Sequence, residues 1–271
     1  MAYMANVMNR NNQTAISANK NLGQHFLVDE AVISQILAAF APKKGEKIIE
    51  IGPGVGALTF PLSEKSDFLT LIELDSRAIE FLSERLNPNV KIIASDVLKV
   101  DFAQLGSDLR LIGNLPYNIS SAILLHCLTY RAVIEDCVFM LQKELAERIC
   151  AESGSRDYGR ITVSLRQYFS ADYLFTVPPE AFSPPPKVDS AIIYLRRREK
   201  SLWEIKNQEN FQEILRLAFS MRRKMLRKSL AGIIKASELE ELGILPTARP
   251  EELDGADFAR IANYLAEKYY F

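Results

Sequence analysis

Residues 47–60 read KIIEIGPGVGALTF. The first five residues are rich in isoleucine, with apolar side chains for both faces of a strand, and the run ends in glycines at 52, 54 and 56 before a helix-compatible ALTF. Glycines at such a turn let the backbone double back tightly and approach a ligand that a Cβ would block. The spacing is GxGxG, not the GxGxxG of a dinucleotide-pyrophosphate turn, and no Lys-Ser/Thr pair follows as in a phosphate loop. A nucleoside without phosphates is the favoured ligand.

Outward from that turn the pattern repeats. FLTLIEL (68–74), VKIIASD (90–96), LRLIGN (109–114) and EDCVFML (135–141) are further short strands, separated by helical spacers such as SRAIEFLSERL, in which Ile79, Leu82 and Leu86 share a face. Buried parallel strands with helices between them predict a doubly wound α/β domain. YFSADYLFTV (168–177) and VDSAIIYLR (188–196) read as two more strands, and the loop between them holds Pro178, Pro179, Pro184, Pro185 and Pro186. That loop should be stiff, because each proline fixes φ. After RRREK (196–200) the pattern is wholly helical: Phe211, Ile214, Leu215, Ala218 and Phe219 form one stripe, Phe258, Ile261, Ala262 and Leu265 another, and Ser237 with Glu240 suggests a capping box. The expected organisation is a flexible N-terminal arm over 1–20, an α/β domain over 21–200 and a small all-helical domain over 201–271.

Composition narrows the class. A chain of 271 residues that is 48% hydrophobic can bury a core and one small appendage. Cys127, Cys137 and Cys150 have no paired spacing and only His25 and His126 could join them, so no metal site is expected and a reduced cytoplasmic setting fits. The asparagine-rich first 20 residues lack the apolar core of a signal peptide, and AVISQILAAFA (31–41) is too short to cross a bilayer, so no membrane association is expected. The net charge of -1 hides an uneven distribution: residues 196–228 carry 11 Lys and Arg against 4 Asp and Glu. Within FSMRRKMLRKSL (219–230), Arg222, Arg223, Lys224, Arg227 and Lys228 have no acid among them. On a helix Arg223 with Arg227 and Lys224 with Lys228 would stand as repulsive i, i+4 pairs that a polyphosphate relieves, so nucleic acid is the expected partner.

Chemistry-bearing residues stand at successive strand ends. Glu73, 21 residues after Gly52, is placed to accept from ribose hydroxyls, and Asp96 from an adenine amino group. Together with Gly52 and Gly54 they suit S-adenosylmethionine. Asn114-Leu115-Pro116-Tyr117 follows the fourth strand. An adenine amine is a poor nucleophile because its lone pair is delocalised into the ring. Two acceptors on its N–H groups, the Asn114 side-chain oxygen and the carbonyl of Leu115 or Pro116, would draw the nitrogen toward tetrahedral geometry, while Tyr117 stacks on the base. The plainer reading is an ordinary strand-exit turn, since Asn and Pro are common there. Phe182 is either a second stacking aromatic presented by the proline loop or a core residue anchoring it.

Five segments in order, NLGQHFL (21–27), EIGPGVGALT (50–59), GNLPYNIS (113–120), MLQKE (140–144) with FSPPPKVDS (182–190), and FSMRRKMLRKSL, resemble the KsgA family of ribosomal RNA small-subunit adenine dimethyltransferases. The resemblance implies a Rossmann-like class I methyltransferase fold with a mostly parallel seven-stranded sheet, and S-adenosylmethionine contacts from His25, Leu27, Gly52, Glu73, Asp96 and Asn114. It also implies a target pocket of Asn114, Leu115, Pro116, Tyr117 and Phe182, S-adenosylhomocysteine as product, and a monomer acting on an immature 30S particle. Two adjacent adenosines in a 3'-terminal hairpin would each receive two methyl groups. Many members carry Asn where this chain has His25. The rivals are a large-subunit adenine methyltransferase of the macrolide-resistance kind, a protein glutamine methyltransferase with an Asn-Pro-Pro-Tyr turn, and a role as an assembly factor apart from methylation.

Overall fold

The computed structural model describes residues 16–19, 22–221 and 223–269, without the side chain of residue 269. The arm expected over 1–20 therefore lies mostly outside the described residues, as does Arg222.

Nine strands and ten helices are formed by the described residues. The strands are β1 (Phe26–Leu27), β2 (Lys47–Ile51), β3 (Phe68–Glu73), β4 (Lys91–Ala94), β5 (Leu109–Asn114), β6 (Ile134–Gln142), β7 (Phe169–Val177), β8 (Phe182–Ser183) and β9 (Ser190–Arg197). The helices are α1 (Glu30–Phe40), α2 (Thr59–Lys65), α3 (Ser76–Ser83), α4 (Ser120–Thr129), α5 (Lys143–Cys150), α6 (Arg160–Arg166), α7 (Gln208–Ser220), α8 (Leu226–Ser229), α9 (Ala236–Glu241) and α10 (Gly255–Tyr269). The chain forms two compact units, one holding the residues up to Ala146 together with Ala171–Arg197, the other Glu147–Ser170 together with Arg198 onward. A boundary near residue 200 is thus only one of the crossings, because α6 and its flanks also belong to the second unit.

In the first unit a seven-stranded sheet has the order β4-β3-β2-β5-β6-β9-β7. Strands β2 to β6 pair in parallel, and β9 runs antiparallel to β6 with Gln142 opposite Ser190. Ile48, Ile49, Leu71, Leu111 and Val138 are almost wholly buried, as a sheet covered on both faces demands. Asp29 starts α1 by accepting from the N–H groups of Ala31 and Val32, and Asp75 starts α3 by accepting from Arg77 N. On α3 the buried face is Ala78, Phe81 and Leu82; Ile79 and Leu86 sit at its margin.

One buried ion cluster had no sequence signal. The Arg110 guanidinium donates to Asp136, to Glu46 and to the Phe40 carbonyl, while Tyr194 OH donates to Asp136 Oδ2. It lies at the beginning of β5, away from the glycine turn, and satisfies the charge it buries.

The second unit is built on the two predicted stripes. Phe211, Ile214, Leu215 and Ala218 of α7 and Phe258, Ile261, Ala262 and Leu265 of α10 are buried in one cluster. Gly255 opens α10 against Trp203: a Cβ there would come within 1.9 Å of the indole. Two expectations fail in this unit. The cap of α9 is a single bond, with the Glu238 carboxylate accepting from Lys235 N at 2.7 Å, and not a box of Ser237 with Glu240. The basic stretch is not one helix: α7 ends at Ser220, residues 221 and 223–225 are not helical, and only Leu226–Ser229 is helical again. Leu226 N and Arg227 N donate to the carbonyls of Ala248 and Pro246, which sets the second helix by tertiary contact. Arg223, Lys224, Arg227 and Lys228 are all exposed, without the i, i+4 stacking a continuous helix would force on them.

Candidate active site

At the carboxyl ends of β2, β3, β4 and β5, where open α/β sheets take their ligands, lies a cavity of about 260 Å³. His25, Leu27, Gly52, Gly54, Glu73, Asp96, Asn114, Leu115, Pro116 and Tyr117 all line it. Ten sequence-predicted residues from five separate stretches thus meet in one place.

Phe182 is the predicted residue that does not. It pairs with Leu27 in the short β1–β8 ladder and is 3% exposed within the apolar core. The ladder turns this aromatic inward, while Pro184 and Pro185 take the exposed part of the loop.

The glycine turn is shaped by its neighbours. Gly54 has φ +53°, and a Cβ on it would lie 2.9 Å from the Phe26 ring. Its N–H donates to Glu73 Oε2 at 3.1 Å, while Glu73 Oε1 accepts from Leu74 N and Asp75 N. Burial pushes the Glu73 carboxyl above its usual range, against the pull of these three donors. Of the roughly four acceptor positions of a carboxylate, three are filled, which leaves one on Oε2 for a ligand. Asp96 caps the turn after β4 through Oδ1, which accepts from Leu98 N at 3.0 Å. Asp75, beside Glu73, takes Arg77 and the Gln24 amide, and Arg77 holds its carboxyl below the usual range.

Glu50 was missed from the sequence. It is 2% exposed, lines the cavity and accepts from the Thr59 hydroxyl at 2.7 Å. Its signal was a lone acid in KIIEI, inside a strand that is otherwise buried. Burial, reinforced by the Glu73 charge and opposed by Thr59, pushes its carboxyl up to about 8. The folded state therefore holds a proton there that the unfolded state releases near the ordinary value of 4.5. With more protons bound in the native state, stability falls as pH rises from about 4.5 to about 8. Urea unfolding at pH 5 and pH 8 should show that decline in the wild type, by a few kcal/mol at most, and a flatter profile in Glu50→Gln. Equal slopes for the two proteins would remove Glu50 as the source.

The Asn114 turn is held on every side. Asn114 Nδ2 donates to the His25 carbonyl at 2.9 Å, which commits the amide nitrogen and leaves Oδ1 as its acceptor. Leu115 N donates to Met140 O, while Pro116 O already accepts from Ile119 N and from the Ser120 hydroxyl. The Tyr117 ring stacks against His25 with centroids 5.7 Å apart, and its hydroxyl lies 2.6 Å from Ser190 Oγ. Burial raises the Tyr117 phenol above its usual range, so it stays protonated at neutral pH. His25 Nδ1 donates to the Pro184 carbonyl at 2.8 Å, which leaves Nε2 as its available nitrogen.

Among the described residues no lysine or arginine lines the cavity, whereas Glu50, Glu73 and Asp96 do. A lining of carboxyl groups without a Lys or Arg is wrong for a phosphate and right for a cationic nucleoside. The residues fit S-adenosylmethionine: a tight glycine approach, acceptors for ribose and adenine, and carboxyl groups near a positive charge.

A family model described as "Ribosomal RNA adenine dimethylase" matches residues 15–267. Proteins named "Ribosomal RNA small subunit methyltransferase A" are similar over almost their whole lengths. The one from Dichelobacter nodosus is 50% identical over 94% of this chain and 99% of its own, and the one from Dechloromonas aromatica 46% identical over 92% and 98%. Among solved structures, a dimethyladenosine transferase from Plasmodium falciparum superposes with a TM-score of 0.78 at 27% identity, covering 90% of this chain and 98% of that one. The 23S rRNA methyltransferase ErmE superposes with a TM-score of 0.66 at 28% identity, covering 89% and 99%. Both kinds of rRNA enzyme share the fold, so the small-subunit assignment rests on sequence identity.

Proposed function

The chain belongs to the ribosomal RNA adenine dimethylase family and is an S-adenosylmethionine-dependent adenine dimethyltransferase of small-subunit rRNA; from that premise we propose how its residues divide the work. The observation that carries the reading is the commitment of Asn114 Nδ2 to the His25 carbonyl, which makes Oδ1 an acceptor for a target amine. Because Pro116 O is already bonded twice, the carbonyl of Leu115 is the second acceptor. Two acceptors on the two N–H groups pull the amine out of conjugation and aim its lone pair. Tyr117 stacks on the base through the ring face that His25 does not cover. S-adenosylmethionine supplies, when bound, a sulfonium-activated methyl group, and S-adenosylhomocysteine is left. Glu73 takes a ribose hydroxyl at its open Oε2 position, Asp96 the adenine amine at Oδ2, and Gly52, Gly54, Leu27 and His25 Nε2 complete the binding surface. No metal has a part in this scheme.

The substrate is two adjacent adenosines in the 3'-terminal hairpin of small-subunit rRNA within an immature 30S particle, met in the cytoplasm by a monomer. Among the described residues no helix is long and apolar enough to cross a membrane. The exposed Arg223, Lys224, Arg227 and Lys228 contact phosphates, and Arg222 belongs to the same basic run in the sequence.

Mapping decides this. Small subunits from a deletion strain should lack dimethyladenosine near the rRNA 3' end and regain it with the purified protein, faster than naked rRNA does. Loss confined to large-subunit rRNA would overturn the substrate. In the same assay, Arg223→Ala with Lys224→Ala should weaken subunit binding and reduce the salt slope by about 2, while equal slopes would take the turn out of the interface.

A further inference from the structure

Tyr117 is fixed at its far end by a residue from a distant part of the chain. Its hydroxyl meets Ser190 Oγ at 2.6 Å, and Ser190 is fully buried at the start of β9. Strand β9 pairs with β6, and β6 with β5, which leads into Asn114 and Tyr117. The bond therefore spans the width of one strand and ties the Asn114–Tyr117 turn to the antiparallel part of the sheet.

We propose that Ser190 is a positioning residue for methyl transfer, holding the Tyr117 ring at the height at which the target base meets Asn114 Oδ1 and the Leu115 carbonyl. The inference rests on the reading that Tyr117 stacks on that base. A tyrosine ring anchored only at Cβ sweeps its far edge through several ångströms as its two side-chain torsions vary. Stacking the ring on His25 limits its tilt but still allows it to slide in its own plane. A hydrogen bond at the hydroxyl, to a side chain buried at the start of β9, opposes that slide. An error of about 1 Å in a reacting geometry costs on the order of 100-fold in rate, so a small freedom here matters. Ser190 touches neither cofactor nor base in this arrangement, since it does not line the cavity.

The test is a double-mutant cycle on under-methylated small subunits, with S-adenosylmethionine affinity measured by calorimetry in the same proteins. Ser190→Ala and Tyr117→Phe should each lower kcat about tenfold at saturating substrates, with cofactor affinity unchanged, because each removes one partner of the same bond. The double variant should be no slower than either single one. Losses that multiply, or wild-type kcat in Ser190→Ala or Tyr117→Phe alongside an inactive Tyr117→Ala, would overturn the positioning role and leave the stacking role intact. Full kcat in Tyr117→Ala would instead overturn the stacking reading from which the proposal starts. Tyr117→Phe removes the hydroxyl without touching the buried serine, so the cycle is informative even if Ser190→Ala folds poorly.

Discussion

Asn114→Ala is expected to lower the rate of methyl transfer about 1,000-fold while leaving binding of the small subunit unchanged. Removing a single preorganised hydrogen-bonding group at a reacting centre costs roughly 100- to 1,000-fold. Here the side chain does two things at once: Oδ1 accepts from the amine, and Nδ2 holds the His25 carbonyl, 89 residues away in sequence. Alanine loses both, which places the effect at the upper end. Asn114→Asp separates them. It keeps an oxygen where the amine needs one but sets a carboxylate oxygen against the His25 carbonyl, so the segment that carries Phe26 and Leu27 is pushed from its seat. Aspartate should therefore retain more activity than alanine but bind S-adenosylmethionine less tightly than wild type. Single-turnover transfer under saturating conditions, with calorimetry for the cofactor, measures both. A kcat in Asn114→Ala within tenfold of wild type would show that the amine is activated elsewhere.

The parts of this molecule that could be read from its sequence are those whose causes are local. The turn at Gly52 to Gly56, the apolar strands on either side and the stripes of α7 and α10 announce themselves within ten or fifteen residues, because strand and helix periodicities are local quantities. Chain-order logic then carried Glu73, Asp96 and Asn114 to a common edge, since parallel strands end together. What was not legible depended on partners remote in sequence. Phe182 was undecidable because loop and core aromatics look alike until Leu27 is known to pair with it. Nothing local in residues 160–166 says which core their helix joins, and it joins the second unit. The basic stretch scans as a helix, yet its charges oppose one another there and the carbonyls of Pro246 and Ala248 offer Arg227 and Leu226 a different arrangement. Ser190 had no local mark, because its significance is a tyrosine 73 residues earlier.

Glu50 and Glu73 show the same contrast within one cavity. Both are buried acids at neighbouring strands, and burial raises both, but Glu73 is fed by three backbone donors whereas Glu50 has the Thr59 hydroxyl. A carboxylate so supplied is preorganised to accept one more donor with its charge intact. Its neighbour is better suited to staying protonated, which keeps two negative charges from facing each other.

That difference sets the size of the second large effect: Glu73→Ala should weaken S-adenosylmethionine binding about 100-fold and abolish methylation at cellular cofactor levels, with RNA binding largely intact. Sequence logic gave Glu73 both ribose hydroxyls, but three of its acceptor positions are occupied by Gly54, Leu74 and Asp75, so only one hydroxyl bonds without displacing a backbone donor. A single hydrogen bond to a charged group contributes about 1.5–3 kcal/mol, or roughly tenfold to 150-fold in affinity. Freeing the Gly54 N–H also loosens the glycine turn, which moves the loss toward the larger figure. Glu73→Gln should lie between, since its amide oxygen still accepts while its NH2 opposes one of the backbone donors. Global stability should move less than affinity, because the substitution that strands three N–H groups also removes an acid whose burial is unfavourable. Calorimetric titration of the cofactor, with subunit binding measured in parallel, checks the prediction. Wild-type cofactor affinity in Glu73→Ala would mean that the ligand of this cavity takes its ribose contact elsewhere.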